Sequence, residues 1–255
     1  MSLTLDVDKL TVERGAKRVL NEISIRLAQG RTTAILGPNG AGKSSLVQAI
    51  AGILPASSGK ISLGERKLNG LPPEAIRALG IATVLEGHRV LTALSVDDNL
   101  KTAGCLLGRA ALSTSLERAY AIFPELLEHQ TQPAGSLSGG QQQMLALAQA
   151  LMARPAFVLA DEMSLGLAPV VVKRLMQVLR SLAGEGCGIL LIEQFTHVAL
   201  RLADHVYVLN RGRVQFHGTP ADVARQPSIL HDAYFAGASI GRTQALPANQ
   251  GANPP

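Results

Sequence analysis

A glycine-rich sequence, GPNGAGKS, runs from Gly37 to Ser44 and limits the folds that are open to this chain. It matches the pattern G-x-x-x-x-G-K-[ST], follows an apolar segment at 32–36 that is typical of a strand, and precedes a predicted helix at 45–50. In this arrangement glycines let backbone N–H groups turn inward around phosphate oxygens, and the helix N-terminus adds a positive dipole. A chance glycine-rich turn would not require the flanking strand and helix. The segment is therefore predicted to be a phosphate-binding loop.

The residues of this phosphate loop have distinct predicted roles. Lys43 is expected to reach the β- and γ-phosphates of a nucleoside triphosphate, and the Ser44 hydroxyl to bind Mg²⁺. Ser45 takes the next position facing the phosphates. The remaining predicted phosphate contacts come from the loop residues Gly37, Pro38, Asn39, Gly40, Ala41 and Gly42.

A second candidate feature is a pair of carboxylates after an apolar segment. Asp161 and Glu162 directly follow the predicted strand 157–160, at the strand end where open parallel sheets bind ligands. Neighbouring side chains point in different directions, so we assign Asp161 to the metal and Glu162 to the base that activates the attacking water. In isolation such a pair is more often a solvated turn; the phosphate loop upstream favours the catalytic role.

Composition narrows the class of protein. A chain of 255 residues that is 47% hydrophobic has the size of one compact domain with a subdomain. Charged residues near the start and the lack of a long apolar run predict neither a signal peptide nor a membrane-spanning helix, hence a cytoplasmic protein. A net charge of +5 favours anionic ligands, whereas 3% aromatic residues and no Trp argue against a single-strand nucleic-acid reader. Cys105 and Cys187 are predicted to be small buried residues without a metal or disulfide role.

Periodicity along the chain predicts an α/β architecture. Alternating apolar residues predict strands at 3–7 and 23–27, and the segment 88–153 has mostly helical signals, including a helix capped by Ser95 and continuing to Leu107. A strand, a helix over 169–184 and a strand at 189–192 predict a parallel sheet. Next come a hairpin of strands 205–209 and 214–217 and a last helix capped by Thr219.

The sequence Leu137-Ser138-Gly139-Gly140-Gln141 resembles the signature sequence of the ATP-binding-cassette (ABC) ATPases. Ser138 and Gln141 also form the S-x-x-Q pattern of a capping box, which predicts that a helix begins here with free N–H groups. With the phosphate loop and the Asp-Glu pair, three motifs stand in the order found in that family. The resemblance extends over residues 3–237.

The resemblance implies the fold and a shared active site. It implies a RecA-like P-loop NTPase core with an antiparallel β subdomain at 1–87 and 156–236, a helical subdomain at 88–155, and a disordered tail at 237–255. Two head-to-tail ATPase subunits would bind two ATP molecules with Mg²⁺ between them. Ser138, Gly139, Gly140 and Gln141 would then contact the γ-phosphate bound by the partner subunit. Closure on ATP would drive membrane permeases between two states.

A narrower resemblance is carried by EGHRV at 86–90, SLGLAP at 164–169, IEQ at 192–194 and YFAG at 234–237. These sequences are similar to the ATPase subunits of branched-chain amino acid importers, with urea and short-chain amide importers as near relatives. The implied partners are a sister ATPase or a second copy of the chain, two permeases and an external binding protein, at the cytoplasmic face of the inner membrane. A soluble ABC protein acting on ribosomes or DNA would have two cassettes or a coiled-coil insertion, so no nucleic-acid partner is expected.

Three positions depart from the usual ABC pattern. Glu86 stands where Gln commonly contacts Mg²⁺ and the permease, and Gln194 where a His commonly senses the γ-phosphate. Gln can donate a hydrogen bond to a phosphate, but it cannot carry the positive charge of a protonated His. These two changes leave a non-hydrolytic nucleotide sensor as a further alternative. Arg14 replaces the aromatic residue that stacks on adenine, and either stacks through its guanidinium plane or is a surface residue.

Overall fold

The computed structural model describes residues 3–87 and 90–235. Its strands form two sheets, one antiparallel and one largely parallel. The strands are β1 (Thr4–Arg14), β2 (Lys17–Ala28), β3 (Thr32–Leu36), β4 (Ser58–Leu63), β5 (Arg66–Lys67), β6 (Ile81–Val84), β7 (Phe157–Asp161), β8 (Gly188–Ile192), β9 (His205–Asn210) and β10 (Arg213–Gly218).

The helices lie between and after these strands, and four of them, α3 to α6, are consecutive along the chain. They are α1 (Lys43–Ile50), α2 (Pro73–Ala78), α3 (Val96–Ala103), α4 (Arg109–Ile122), α5 (Pro124–Leu127), α6 (Gly139–Leu151), α7 (Pro169–Gly184), α8 (Thr196–Leu202), α9 (Pro220–Arg225) and α10 (Ser228–Phe235). In the described part of the chain, no helix combines the length and the apolar character that crossing a membrane requires.

The larger sheet positions the candidate site. Its strand order is β10-β9-β3-β8-β7-β6, and every neighbouring pair except β9 and β10 is parallel. All residues of β3, β7 and β8 are buried, because this sheet is covered on both faces, and such strands are mostly apolar. The carboxyl ends of β3, β8, β7 and β6 therefore meet at one edge.

The smaller sheet has the order β2-β1-β4-β5 and is antiparallel. Its register pairs Leu5 with Leu27 and Val7 with Ile25, so these alternate residues share a buried face. That face packs with α1 against one side of the parallel sheet. Helices α3 to α8 contribute to a second core on the other side.

The α/β fold class and most predicted elements are confirmed. Helix α7 has the predicted bounds, β9 and β10 form the predicted hairpin, and α9 has the predicted capping box at Thr219. The structure corrects other expectations: α1 begins two residues earlier than predicted, α3 ends at Ala103, and α10 follows the helix predicted to be last. Strands β4 to β6 and helix α2 had not been predicted. Cys105 is exposed, not buried as predicted, while Cys187 is buried.

The predicted tail at 237–255 lies outside the described residues. The helices α3 to α6 fall within the segment predicted to be a helical subdomain. Its limits at 88 and 155 stay a prediction.

Candidate functional site

The phosphate loop joins β3 to α1 in a backbone conformation that requires glycine. Gly37 has φ 145°, and a Cβ there would lie 2.0 Å from the carbonyl oxygen of Leu209. Gly42 has φ 107°, and its Cβ would lie 2.8 Å from the carbonyl oxygen of Val19. Gly42 caps α1 without a side-chain hydrogen bond to the first helical N–H groups. The loop is thus packed tightly at both ends, with helix N–H groups left for an anion.

Lys43 is held inside this loop. Its side chain is 4% exposed, and Nζ donates to the carbonyl oxygens of Gly37, at 2.9 Å, and Pro38, at 3.1 Å. Oε1 of Glu162 lies 3.9 Å from Nζ. Burial lowers the pKa of Lys43, and the negative charges of Glu162 and Asp161 oppose that shift. The ammonium group therefore lies between the loop and the paired carboxylates.

Asp161 is the last residue of β7 and is 2% exposed. Burial is the main cause that raises its pKa to about 6; a hydrogen bond with the Ser44 side chain opposes the shift, and the charges of Glu162 and Glu86 add to it. Its Oδ1 is buried and has no hydrogen-bond partner among the described residues. A buried carboxylate with an unused oxygen, beside a serine hydroxyl, is a donor set that fits a hard cation such as Mg²⁺.

Glu162 follows at a bend of the backbone. Its φ of 50° lies in the left-handed region, which is unusual for a residue with a side chain. The N–H of Glu162 donates to the carbonyl oxygen of Ile192, at 2.9 Å. This bend turns the carboxylate toward Lys43 and leaves it 14% exposed. Glu162 is therefore open to a small molecule while remaining beside the phosphate loop.

The three departures from the family pattern take different positions. Glu86 is exposed in the turn after β6, and its charge raises the pKa of Asp161. Gln194 is exposed after the end of β8. Arg14, the last residue of β1, makes a short hydrogen bond to Gln48 of α1. That bond holds the Arg14 guanidinium against α1, the helix that follows the phosphate loop.

The signature residues form the N-terminus of α6. Ser138 accepts from the Gln141 N–H, and the Gln141 side chain accepts from the Ser138 N–H at 3.0 Å, so the predicted capping box is confirmed. Ser138 and Gly139 are exposed. A Cβ on Gly140 would lie 2.9 Å from Val171, which leaves little room for a side chain there. Across residues 3–87 and 90–235, no hydrogen bond or ion pair joins these residues to the phosphate loop.

Glu193, which directly precedes Gln194, was not predicted to be a site residue. Its side chain is fully buried, its pKa is raised to about 7 mainly by burial, and it accepts a short hydrogen bond from the Ser164 hydroxyl. The signal was present: Glu193 follows the apolar strand β8, just as the Asp-Glu pair ends β7. The sheet order was needed to show that β8 lies between β3 and β7.

A second residue missed as part of the site is Tyr234, on α10. Its hydroxyl oxygen accepts a hydrogen bond of 3.2 Å from the N–H of Gly37, the first residue of the phosphate loop. The two residues are 197 positions apart. The contact ties the last described helix to the loop.

Replacing Tyr234 with Phe is expected to weaken ATP binding about fivefold with little change in the rate at saturation. The change removes one hydrogen bond, worth about 1 kcal/mol, from the loop that would hold the phosphates. Nucleotide titration of the full chain measures this. Tyr120→Phe is the matched control, because its hydroxyl bonds Asp97 at 3.0 Å in the helical segment. Unchanged affinity for Tyr234→Phe, or equal losses for both variants, would contradict the expectation.

Comparisons with known proteins agree with this geometry. The family model described as ABC transporter matches residues 20–164. The high-affinity branched-chain amino acid transport ATP-binding protein BraG of Pseudomonas aeruginosa is 38% identical over 91% of this chain and 100% of its own length. The lipopolysaccharide export system ATP-binding protein LptB of Escherichia coli is 28% identical over 89% of this chain and 95% of its length.

A solved structure described as the ATP-binding subunit of an ABC transporter superposes with a TM-score of 0.78. It is 28% identical and covers 88% of this chain and 93% of that one. The fold, the phosphate loop and these matches all indicate the same family. The chain belongs to the ABC transporter family and is an ATP-hydrolysing, ATP-binding subunit of such a transporter.

Proposed function

We propose that this chain powers the uptake of branched-chain amino acids, or of another amino acid, through a membrane permease. The observation that carries the proposal is the 38% identity to BraG along that protein's whole length. The importer direction, the cargo and the partners below belong to this proposal.

The phosphate loop binds the triphosphate of ATP. Lys43 exchanges its two carbonyl partners for β- and γ-phosphate oxygens, which are stronger acceptors because they are charged. The other loop residues that have a backbone N–H group, which Pro38 lacks, bind the phosphates through it, and Ser44 and Ser45 add hydroxyls. Arg14 lies at the adenine end, where its plane stacks on the base.

Ser44 and Asp161 would hold Mg²⁺, and Glu86, whose charge acts on Asp161, would be a further oxygen donor. The support is the unpartnered Oδ1 of Asp161 beside the Ser44 hydroxyl. Mg²⁺ supplies charge neutralisation for the β- and γ-phosphates. Burial disfavours the charge of Asp161, and Mg²⁺ would add to the compensation that Lys43 and the Ser44 hydroxyl provide.

Glu162 is the catalytic base. It accepts a proton from water as the water oxygen bonds the γ-phosphorus and the bond to the β,γ-bridging oxygen breaks, which releases ADP and phosphate. Lys43 stabilises the charge that builds up on the phosphate oxygens. Gln194 donates a hydrogen bond to the γ-phosphate from the end of β8.

Two ATPase subunits complete each site. Ser138, Gly139, Gly140 and Gln141 lie at the N-terminus of a 13-residue helix, where Ser138 and Gly139 are exposed, and among the described residues no hydrogen bond or ion pair joins them to their own phosphate loop. A helix N-terminus of this kind binds an anion, and here the anion is the γ-phosphate held by the other subunit. The second subunit is a sister ATPase or another copy of this chain.

Two permeases and an external binding protein make up the rest of the transporter. The chain acts at the cytoplasmic face of the inner membrane, with the helical subdomain at 88–155 moving against the core at 1–87 and 156–236. Dimer closure on ATP and opening after hydrolysis switch the permeases between two states. No nucleic acid takes part.

Export is a second candidate, because LptB is similar over nearly its full length. Identity of 28% against 38% favours amino acid transport over lipopolysaccharide export. Urea or a short-chain amide is an alternative cargo.

The assembled transporter tests the cargo. The complex is captured by a tag on this chain, placed in lipid vesicles with its binding protein, and assayed for ATP hydrolysis with leucine, urea or lipopolysaccharide. We expect stimulation by the branched-chain amino acid and accumulation of labelled leucine on the side that contains ATP. A Lys43→Ala complex is the control for basal signal. Stimulation by urea or lipopolysaccharide alone would overturn the proposed cargo.

A further inference from the structure

Glu193 lies at the edge of the parallel sheet that carries the candidate site. It follows the carboxyl end of β8, the strand that separates the phosphate-loop strand β3 from the carboxylate strand β7. Ile192, just before it, is in parallel register with Asp161. Glu193 is fully buried, although the next residue, Gln194, is exposed.

The carboxylate of Glu193 binds the turn that begins at Glu162. The Ser164 hydroxyl donates a short hydrogen bond to Oε2, and the backbone of Ser164 also hydrogen-bonds this carboxylate. Ser164 is 2% exposed, so water does not compete strongly for these bonds. In its ionised form the carboxylate makes a charge-assisted hydrogen bond, which is stronger than one between neutral groups.

The turn from Glu162 to Leu167 requires such support. Glu162 has a left-handed backbone, which is unfavourable for a residue with a Cβ and persists only where the surroundings enforce it. Within the turn, the N–H groups of Leu165 and Leu167 make bonds of 3.5 Å and 3.2 Å. The Glu162 N–H donates to the carbonyl oxygen of Ile192, the last residue of β8, and the Ser164 hydroxyl donates to Glu193, the residue after it. They fix the direction of the Glu162 carboxylate.

Glu193 has a second property that a purely structural residue would not need. Its Oε1 is buried and has no hydrogen-bond partner among the described residues. Buried polar atoms are rarely left unsatisfied, and exceptions are concentrated at functional sites. A leucine side chain at this position would avoid that unfavourable burial but would lack the bond to Ser164.

We propose that Glu193 is a positioning residue for ATP hydrolysis, which holds the Glu162 turn through Ser164 and links it to Gln194. The inference rests on the proposed role of Glu162 as the base. It adds a contact, within one subunit, between the turn after β7 and the segment after β8. Movement of the turn after β7 would then be transmitted to the segment after β8, and the reverse, through the hydrogen bonds between Ser164 and Glu193.

The test is a double-mutant cycle of Ser164→Ala, Glu193→Leu, which leaves no acceptor for the Ser164 hydroxyl, and the pair, measured in the intact transporter complex. Each single change is expected to lower kcat about tenfold, because the base is misplaced, while KM for ATP stays within about twofold. The double variant should lose little more than either single variant, since both remove the same interaction. ATP binding and Tm of the full chain are measured alongside.

Ser181→Ala is the matched control, because Ser181 also hydrogen-bonds a glutamate, Glu185, at 3.3 Å on the exposed face of α7. It should leave kcat unchanged. Wild-type kcat in either single variant, additive losses, or parallel losses of kcat, ATP binding and Tm would overturn the proposal. Failure of the underlying function is recognised separately, since Glu162→Gln would then retain turnover.

Discussion

Replacing Glu162 with Gln is expected to lower ATP turnover about a thousandfold while leaving ATP binding intact. Gln has the same size and can still hydrogen-bond water, but it cannot accept the proton. The loop that holds the phosphates is unaffected, since its glycines and Lys43 are unchanged. ATP should therefore remain bound, and the paired subunits should be trapped in the closed state. Phosphate release and size-exclusion chromatography with ATP measure the two effects.

The control for this variant is Glu65→Gln, which makes the same isosteric change at an exposed turn between β4 and β5. This variant should hydrolyse ATP at the wild-type rate, and its paired subunits should separate after hydrolysis instead of staying trapped in the closed state. Turnover of Glu162→Gln near the wild-type rate would refute the assignment of the base.

Replacing Asp161 with Asn is expected to abolish Mg²⁺-dependent hydrolysis and to stabilise the metal-free protein at the same time. Burial raises the pKa of Asp161 to about 6, so at neutral pH the folded protein contains a charge that burial disfavours. Asn has the same shape without that charge. A tenfold change in proton affinity corresponds to about 1.36 kcal/mol, so the free energy of unfolding should increase by on the order of 2 to 3 kcal/mol.

The pH dependence of this gain follows from the raised pKa. Between about pH 4 and 6 the folded protein retains a proton that the unfolded chain has lost, so the wild type loses stability as the pH rises through this range. Below it, both states are protonated and the advantage of Asn disappears. Urea unfolding with a chelator at pH 5 and pH 8 should therefore show a larger difference at pH 8.

Asp8→Asn, at an exposed position of β1, is the control and should change stability little at either pH. If Asp161→Asn and the wild type were equally stable at pH 8, the claim that the buried charge of Asp161 destabilises the folded protein would be wrong. Retained Mg²⁺-dependent hydrolysis would contradict the metal role.

Much of the site could be predicted because its residues are close in sequence. The phosphate loop requires glycine where the backbone approaches Leu209 and Val19, and this requirement appears as a local pattern. Asp161 and Glu162 were found because an apolar strand directly precedes them. The capping box of Ser138 and Gln141 is likewise a local hydrogen-bond pattern, and the structure confirms it.

The residues that were missed depend on contacts far apart in the chain. Tyr234 reaches Gly37 across 197 positions, and Ser164 reaches Glu193 across 29. Strand β6 and the helix before it were also missed, because they have only four and six residues, although Pro73 marks the start of that helix. Periodicity describes which face of an element is apolar, but not which other element covers it.

Neighbouring residues alone establish that this chain has a phosphate loop, a pair of carboxylates after a strand and a capped signature helix, because each of these is a local pattern. The position of β8 between β3 and β7, and the burial of Glu193 beside the turn that follows β7, could be learned only from the folded molecule. Strand order is set by packing over the whole sheet, and no short segment encodes it. The raised pKa of Asp161 has the same origin, since burial by distant residues is its main cause.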